Sequence, residues 1–194
     1  MNVPPLLLAV DPGARGCGVA LFRSGVLVRA EYLAYIGSKD PWPHGNTAAD
    51  RWACADLVGV WWHTHTTQVY DACGGSLPSS RLLLVEEMKV YAGSLSKGDP
   101  ADLLRLQAIS YAVVGAFASL GWEVESVLAG TWNGQVPRDI RMARTLAWLE
   151  KQGTVRQVIR PAREPRLVHN AWSAAGIGIW RVKSAICPGL EVRR

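Results

Sequence analysis

A chain of 194 residues, 49% apolar and 19% charged, is long enough to bury a full core without disulfide or metal staples and carries no disorder signature. A formal net charge of +5 suits a polyanionic partner but is too small to identify one. No apolar stretch approaches the roughly 20 residues of a membrane span, and Cys17, Cys54, Cys73 and Cys187 form no Cys-x-x-Cys pair. A zinc framework or disulfide scaffold is therefore not indicated, and a soluble, reduced, cytoplasmic protein is expected.

In chain order, Leu6 to Val10 is a short, continuously apolar run that stops at Asp11-Pro12-Gly13, the pattern of a central strand buried on both faces. Cys17 to Phe22 and Val26 to Tyr32 read as two further strands, with Ser24-Gly25 as a hairpin turn between them. Residues 37 to 46 form a Gly- and Pro-rich loop, and Asn46 or Thr47 is placed to cap a helix running to about Tyr70. Arg81 to Val85 is a fourth apolar strand, ending on Glu86-Glu87.

After a polar loop from Gly93, Asp99 stands at an N-cap position with Pro100 at the first helical residue, and that helix is expected to reach Leu120. Trp122 to Val127 is a fifth strand. Helices are expected from Arg138 to Gln152 and from Leu167 to Lys183, with an exposed basic connector near 153–166 between them and a short tail at 184–194. The order is a mixed α/β pattern in one domain, residues 1–194.

Asp11 and Glu86 are the informative pair. Each ends an apolar run, so if those runs are adjacent parallel strands the two carboxylates stand roughly 5 Å apart at one sheet edge. Carboxylates so placed repel unless a cation lies between them. Hard oxygen ligands of this kind select Mg²⁺ or Mn²⁺, and a pair of such ions can clamp a scissile phosphate. Glu87 falls on the opposite face of its strand. Taken singly, an Asp before Pro-Gly is more often a turn former, and a Glu after a strand a solvated end.

Four segments carry a family resemblance. LLLAVDPGARGCGVALF resembles the opening of RuvC-type Holliday-junction resolvases, and LLLVEEMKVYAGSLSKGDPADLLRL the second motif of phage members of that group. GTWNGQVPRDIRMAR resembles their third segment and VHNAWSAAGIGIW their last helix. The segments occur in the family's order and cover most of the chain.

The resemblance implies an RNase H-like fold, a five-stranded mixed sheet flanked by helices. It also implies a dimeric, metal-dependent endonuclease acting on four-way DNA, with two Mg²⁺ or Mn²⁺ ions per site, working in the bacterial host cytoplasm if phage-encoded. Asp11 and Glu86 would be metal ligands and catalytic residues, joined from the last helix by His169, Asn170 and Ser173. An actin-like ATP-dependent kinase shares the first motif, but needs a second phosphate loop and a longer chain, so no nucleotide cofactor is expected.

At the last helix the chain departs from the family, which carries Asp/His-x-x-Asp-Ala where this sequence has Asn170-Ala-Trp-Ser173-Ala174. Neither Asn170 nor Ser173 is charged. Three explanations stay open: a substitution introduced to trap a complex, a natural branched-DNA binder that does not cleave, or another acid, Glu164 or Asp139, reaching the site.

The positive charge is concentrated. Residues 138 to 166 hold eight basic and three acidic side chains, an excess equal to that of the whole chain. Arg138, Arg141 and Arg144 fall at i, i+3 and i+6 on one helix face, and with Arg160 and Arg163 suit a DNA backbone. Arg15, Lys89 and Lys97 lie in loops next to the carboxylates and are further phosphate contacts. Most of the nine tryptophans read as core or interface anchors; Trp42, in a Pro-rich loop, reads first as core or loop packing, with stacking on an unpaired base as the alternative. The helix near 50–70 or that at 102–118 would supply the dimer interface.

Overall fold

A computed structural model describes residues 2–13, 16–34, 48–72, 76–87, 100–134, 136–159 and 168–186. Five strands, β1 (Leu6–Gly13), β2 (Gly16–Arg23), β3 (Val26–Ala34), β4 (Arg81–Glu87) and β5 (Glu123–Leu128), form one sheet in the order β3-β2-β1-β4-β5. The first three are antiparallel neighbours, whereas β4 runs parallel to β1 and β5 parallel to β4. The expected hairpin turn is present, with positive φ at Ser24 (48°) and Gly25 (82°), the conformation that makes a tight two-residue turn follow the strand twist.

Side chains alternate across the strands and divide the core in two. Leu6, Leu8 and Val10 of β1, with Leu83 and Val85 of β4, face helices α1 (Ala48–Ala72) and α2 (Pro100–Ser119). Leu7, Ala9, Leu82 and Leu84 face the other way, onto α5 (Val168–Ile186) and α4 (Arg138–Gln152). Burial on both faces explains why β1 and β4 read as unbroken apolar runs rather than alternating ones. Arg181 of α5 clamps Glu125 of β5 through two N–H donors at 2.7 and 2.9 Å, tying the last helix to the far edge of the sheet. Among the described residues no helix is long and apolar enough to cross a membrane.

Strand and helix positions agree with expectation to within a few residues, with three differences. Trp122 precedes β5 instead of opening it, and its ring is buried edge-on against Trp62 and Phe117 in the α1/α2 core. A five-residue helix, α3 (Ala129–Asn133), follows β5 where none was expected. The connector is not exposed at its start: Thr154 and Val158 are buried, and the Ile159 N–H donates to the Ala30 carbonyl at 2.8 Å. The open backbone edge of β3 accounts for this, since an unpaired carbonyl at a sheet edge is satisfied by any extended segment laid beside it. Cys17 and Cys54 are buried thiols outside any disulfide. Asp99, Trp42, Cys73 and Cys187 lie outside the described residues.

Candidate active site

The register of β1 against β4 pairs Val10 with Val85, so Asp11 and Glu86 are the next neighbours at the carboxyl ends of two parallel strands. Both belong to the face covered by α5. Glu86 is only 7% exposed and Asp11 is partly exposed. Glu87 turns to the other face, as the alternation demands, where Gln107 and Tyr111 of α2 donate to it.

The last helix reaches this pair because β2 lets it come close. Gly18 is the partner of Asp11 across the β1–β2 ladder, and a Cβ there would run into the Asn170 backbone carbonyl. The missing side chain seats the first turn of α5 on the sheet, with the Asn170 amide near Gly13. One turn along the helix, the Ser173 hydroxyl stands near enough to Asp11 to favour its charged form. Ser173 thus stands by Asp11, and Asn170 sits one turn earlier against Gly13 and Gly18. His169 is partly buried in the same turn.

Burial first, and then the Glu86 charge, push the Asp11 carboxyl well above the ordinary carboxylate range, against the opposing effects of Ser173, Arg141 and Arg138. Burial raises Glu86 to about 7, countered by the indole of Trp132 and by Arg141. The Trp132 indole nitrogen is buried and, among the described residues, has no hydrogen-bond partner of ordinary geometry.

Trp132, which opens the Trp-x-Gly-Gln-Val-Pro stretch of the third segment though that resemblance assigns it no role, stands on α3 and fits beside Gly176 of α5, where a Cβ would lie 3.0 Å from its ring. Arg141 of α4 lies over the same indole, its guanidinium carbon 5.3 Å from the ring centroid. Arg141, Arg138, Trp132, Trp172 and Ser173 line one cleft, and three of them, Arg138, Arg141 and Ser173, act on Asp11. The arginine row of α4 is thus split. Arg138 and Arg144 are exposed and Arg141 is turned inward. Asp139 is exposed in the first turn of that helix. Arg15, Lys89, Lys97, Arg160, Arg163 and Glu164 lie outside the described residues.

Among the described residues no group of three or more His, Cys, Asp and Glu side chains gathers as a metal cluster. The donor set at β1 and β4 is two adjacent carboxylates, both pushed up by burial, with the neutral hydroxyl of Ser173 at hand. That chemistry fits one divalent cation of the Mg²⁺ kind, which is commonly held by one or two carboxylates together with substrate phosphates.

No protein-family model matches the chain, and no curated protein does. Solved structures do. The yeast mitochondrial Holliday junction resolvase superimposes with a TM-score of 0.51 at 9% identity, over 95% of this chain and 82% of its own. Thermus thermophilus RuvC in complex with a Holliday junction substrate gives 0.45 at 18% identity, over 93% and 94% of the two chains. Another Thermus thermophilus RuvC structure gives 0.46 at 17%, over 93% and 95%. The five-stranded mixed sheet flanked by helices is an RNase H-like α/β fold.

Proposed function

We propose that this chain is a single-domain, structure-selective endonuclease of the Holliday-junction-resolvase kind, acting on four-way DNA as a homodimer in the cytoplasm. The observation that carries the reading is the placement of Asp11 and Glu86 side by side at the ends of parallel strands, with Ser173 of α5 on one side and Arg141 on the other. The four sequence segments that resemble phage RuvC-type resolvases support it, as does the fold shared with a yeast mitochondrial Holliday junction resolvase.

Asp11 and Glu86 would hold Mg²⁺ or Mn²⁺, with Asn170 and Ser173 as neutral neighbours. A divalent ion, when bound, supplies Lewis-acid charge that activates water and steadies the leaving oxygen. The protein's own part is positional. Arg138 and Arg141 face the carboxylates and would hold the phosphodiester against them. Burial of the pair keeps competing water low, and exposed Arg144 would carry the flanking backbone. The net reaction adds water across one phosphodiester, breaking a P–O bond to leave one phosphate monoester and one hydroxyl. Exposed apolar side chains on α1 (Trp52, Val60) and α2 (Leu104, Tyr111) offer area for two-fold pairing, matching the symmetry of a junction.

The neutral Asn170 and Ser173 favour a second reading, a branched-DNA binder with the same fold that does not cut. One experiment separates the two. A labelled four-way junction is incubated with the protein in Mg²⁺, in Mn²⁺ and in EDTA, and resolved on native and denaturing gels. Paired, metal-dependent nicks that disappear in Asp11→Asn establish the nuclease. Tight binding without nicks, with cutting gained in Ser173→Asp, establishes the silent binder. Equal affinity for junction and linear duplex would refute both.

A further inference from the structure

The site is short of negative charge on the side of α5, and a positive side chain stands there. Asn170 and Ser173 bring no charge, so Asp11 and Glu86 alone face whatever cations enter. Two carboxylates balance one divalent ion and leave a second without ligands. Arg141 occupies the same cleft as Ser173, is braced over the Trp132 ring at 5.3 Å, and opposes the charge of both carboxylates.

A guanidinium does not lose its proton in a protein, so this cation is permanent. Its Nε is buried and, among the described residues, has no hydrogen-bond partner, so the fold holds an unsatisfied donor on this side chain. Trp132 is the positioning residue. Gly176 makes room for its ring, and the ring sets where the guanidinium lies.

We propose that Arg141, braced on Trp132, takes the place of a second cation, so that the site holds one divalent ion and offers the substrate's phosphate oxygen a guanidinium donor instead. The phosphate half of this rests on the nuclease reading above. The ion count does not. A fixed donor aimed at developing charge needs no reorganisation when the substrate arrives, which is the advantage such a group has over a loosely held ion.

Counting Mn²⁺ tests it without any activity. Metal-stripped protein, free of DNA, is titrated with Mn²⁺ and the bound ion counted by calorimetry and electron paramagnetic resonance. The chain as it stands should take one ion, and so should Ser173→Asp, whose added carboxylate is neutralised by Arg141. Arg141→Gln should still take one, at least about tenfold more tightly, because a unit positive charge close to the ion has been removed. Arg141→Lys should stay near the starting affinity, which a merely structural role for the arginine would not predict.

The double variant Arg141→Gln with Ser173→Asp should take two ions. Two ions or none in the unaltered chain overturns the proposal, and so does a second ion in Ser173→Asp alone. Junction binding is measured separately in EDTA. Loss of junction preference with a count of one removes the nuclease reading and the phosphate half together, while the ion assignment stands.

Discussion

Glu86 and Glu87 are adjacent residues of one strand, and the sheet treats them in opposite ways. On the α1/α2 face, Glu87 is partly exposed and receives the Gln107 amide at 3.1 Å and the Tyr111 hydroxyl at 3.4 Å. On the α5 face, Glu86 is buried beside Asp11, and burial pushes its carboxyl up to about 7. One face satisfies its acid as an ordinary strand end does. The other keeps two acids together in a poorly solvated place, at a cost in stability that the fold itself does not require. Buried acids with raised pKa values gather most often at functional sites.

The largest expected effect comes from removing the close approach that creates the α5 face. Gly18→Ala would push a methyl group into the Asn170 carbonyl, and backbone on both sides leaves little room to yield. A loss of about 3 kcal/mol is expected, or a melting temperature lower by about 10 °C for a chain of this size. Gly115→Ala on α2, with nothing within 4 Å of the new methyl, should leave the melting temperature unchanged or raise it. Thermal unfolding followed by circular dichroism measures both. Equal melting of Gly18→Ala and the unaltered chain would mean that α5 does not sit on β2 as described.

Next in size is the cost of Glu86 itself. Its carboxyl titrates near 4.5 when unfolded and near 7 when folded, so between those values the folded state holds the extra proton. Stability contributed by this group is therefore present below about pH 4.5 and lost as pH rises through about 7. The full difference is about 3 kcal/mol. Glu86→Gln, free of DNA and metal, should be more stable than the unaltered chain at pH 8 by about 2–3 kcal/mol, and the gain should vanish near pH 4.5. Glu87→Gln should lose less than about 1 kcal/mol at either pH, since only its two hydrogen bonds change. Urea denaturation at the two pH values decides it. A destabilised Glu86→Gln at pH 8 would erase the contrast between the faces.

Much of this contrast is legible in the amino-acid sequence alone. Period-two alternation separates Glu86 from Glu87, and the two unbroken apolar runs ending in acids mark Asp11 and Glu86 as the ends of buried strands, while the parallel pairing of those strands is given by the sheet. Asn170 and Ser173 follow from the position of the last helix and its resemblance to the resolvase pattern. What is not legible depends on contacts between segments. α3 is five residues long, too short for any helical period to register, so the role of Trp132 has no local signal beyond its place before a basic run. The inward turn of Arg141 follows from how α4 packs on α5, whereas i, i+3, i+6 spacing shows only that three arginines share a side. The buried start of the connector does leave a trace: Val155 and Val158 are spaced like a packed turn within an otherwise polar, basic stretch, and Val158 is buried.

The smallest effect separates two arginines of one helix and tests the split in α4 directly. Arg144 is exposed, so its part in DNA binding would be that of a solvated charge displacing counterions from phosphate. Arg144→Ala should reduce the slope of log affinity against log salt by about 0.9, equally for junction and linear duplex. Melting should hardly change, as befits an exposed position. Arg141, stacked on Trp132 beside the carboxylates, should behave otherwise, with a loss concentrated on the DNA geometry that presents a phosphate to the cleft. Salt titrations of both variants on both DNAs compare them. If Arg141→Gln and Arg144→Ala lose affinity alike on junction and duplex, the α4 arginines act as one backbone-binding row and the inward position of Arg141 has no consequence for DNA. If only Arg141→Gln loses the preference for the junction, the acidic face of the sheet and its one inward arginine work as a unit.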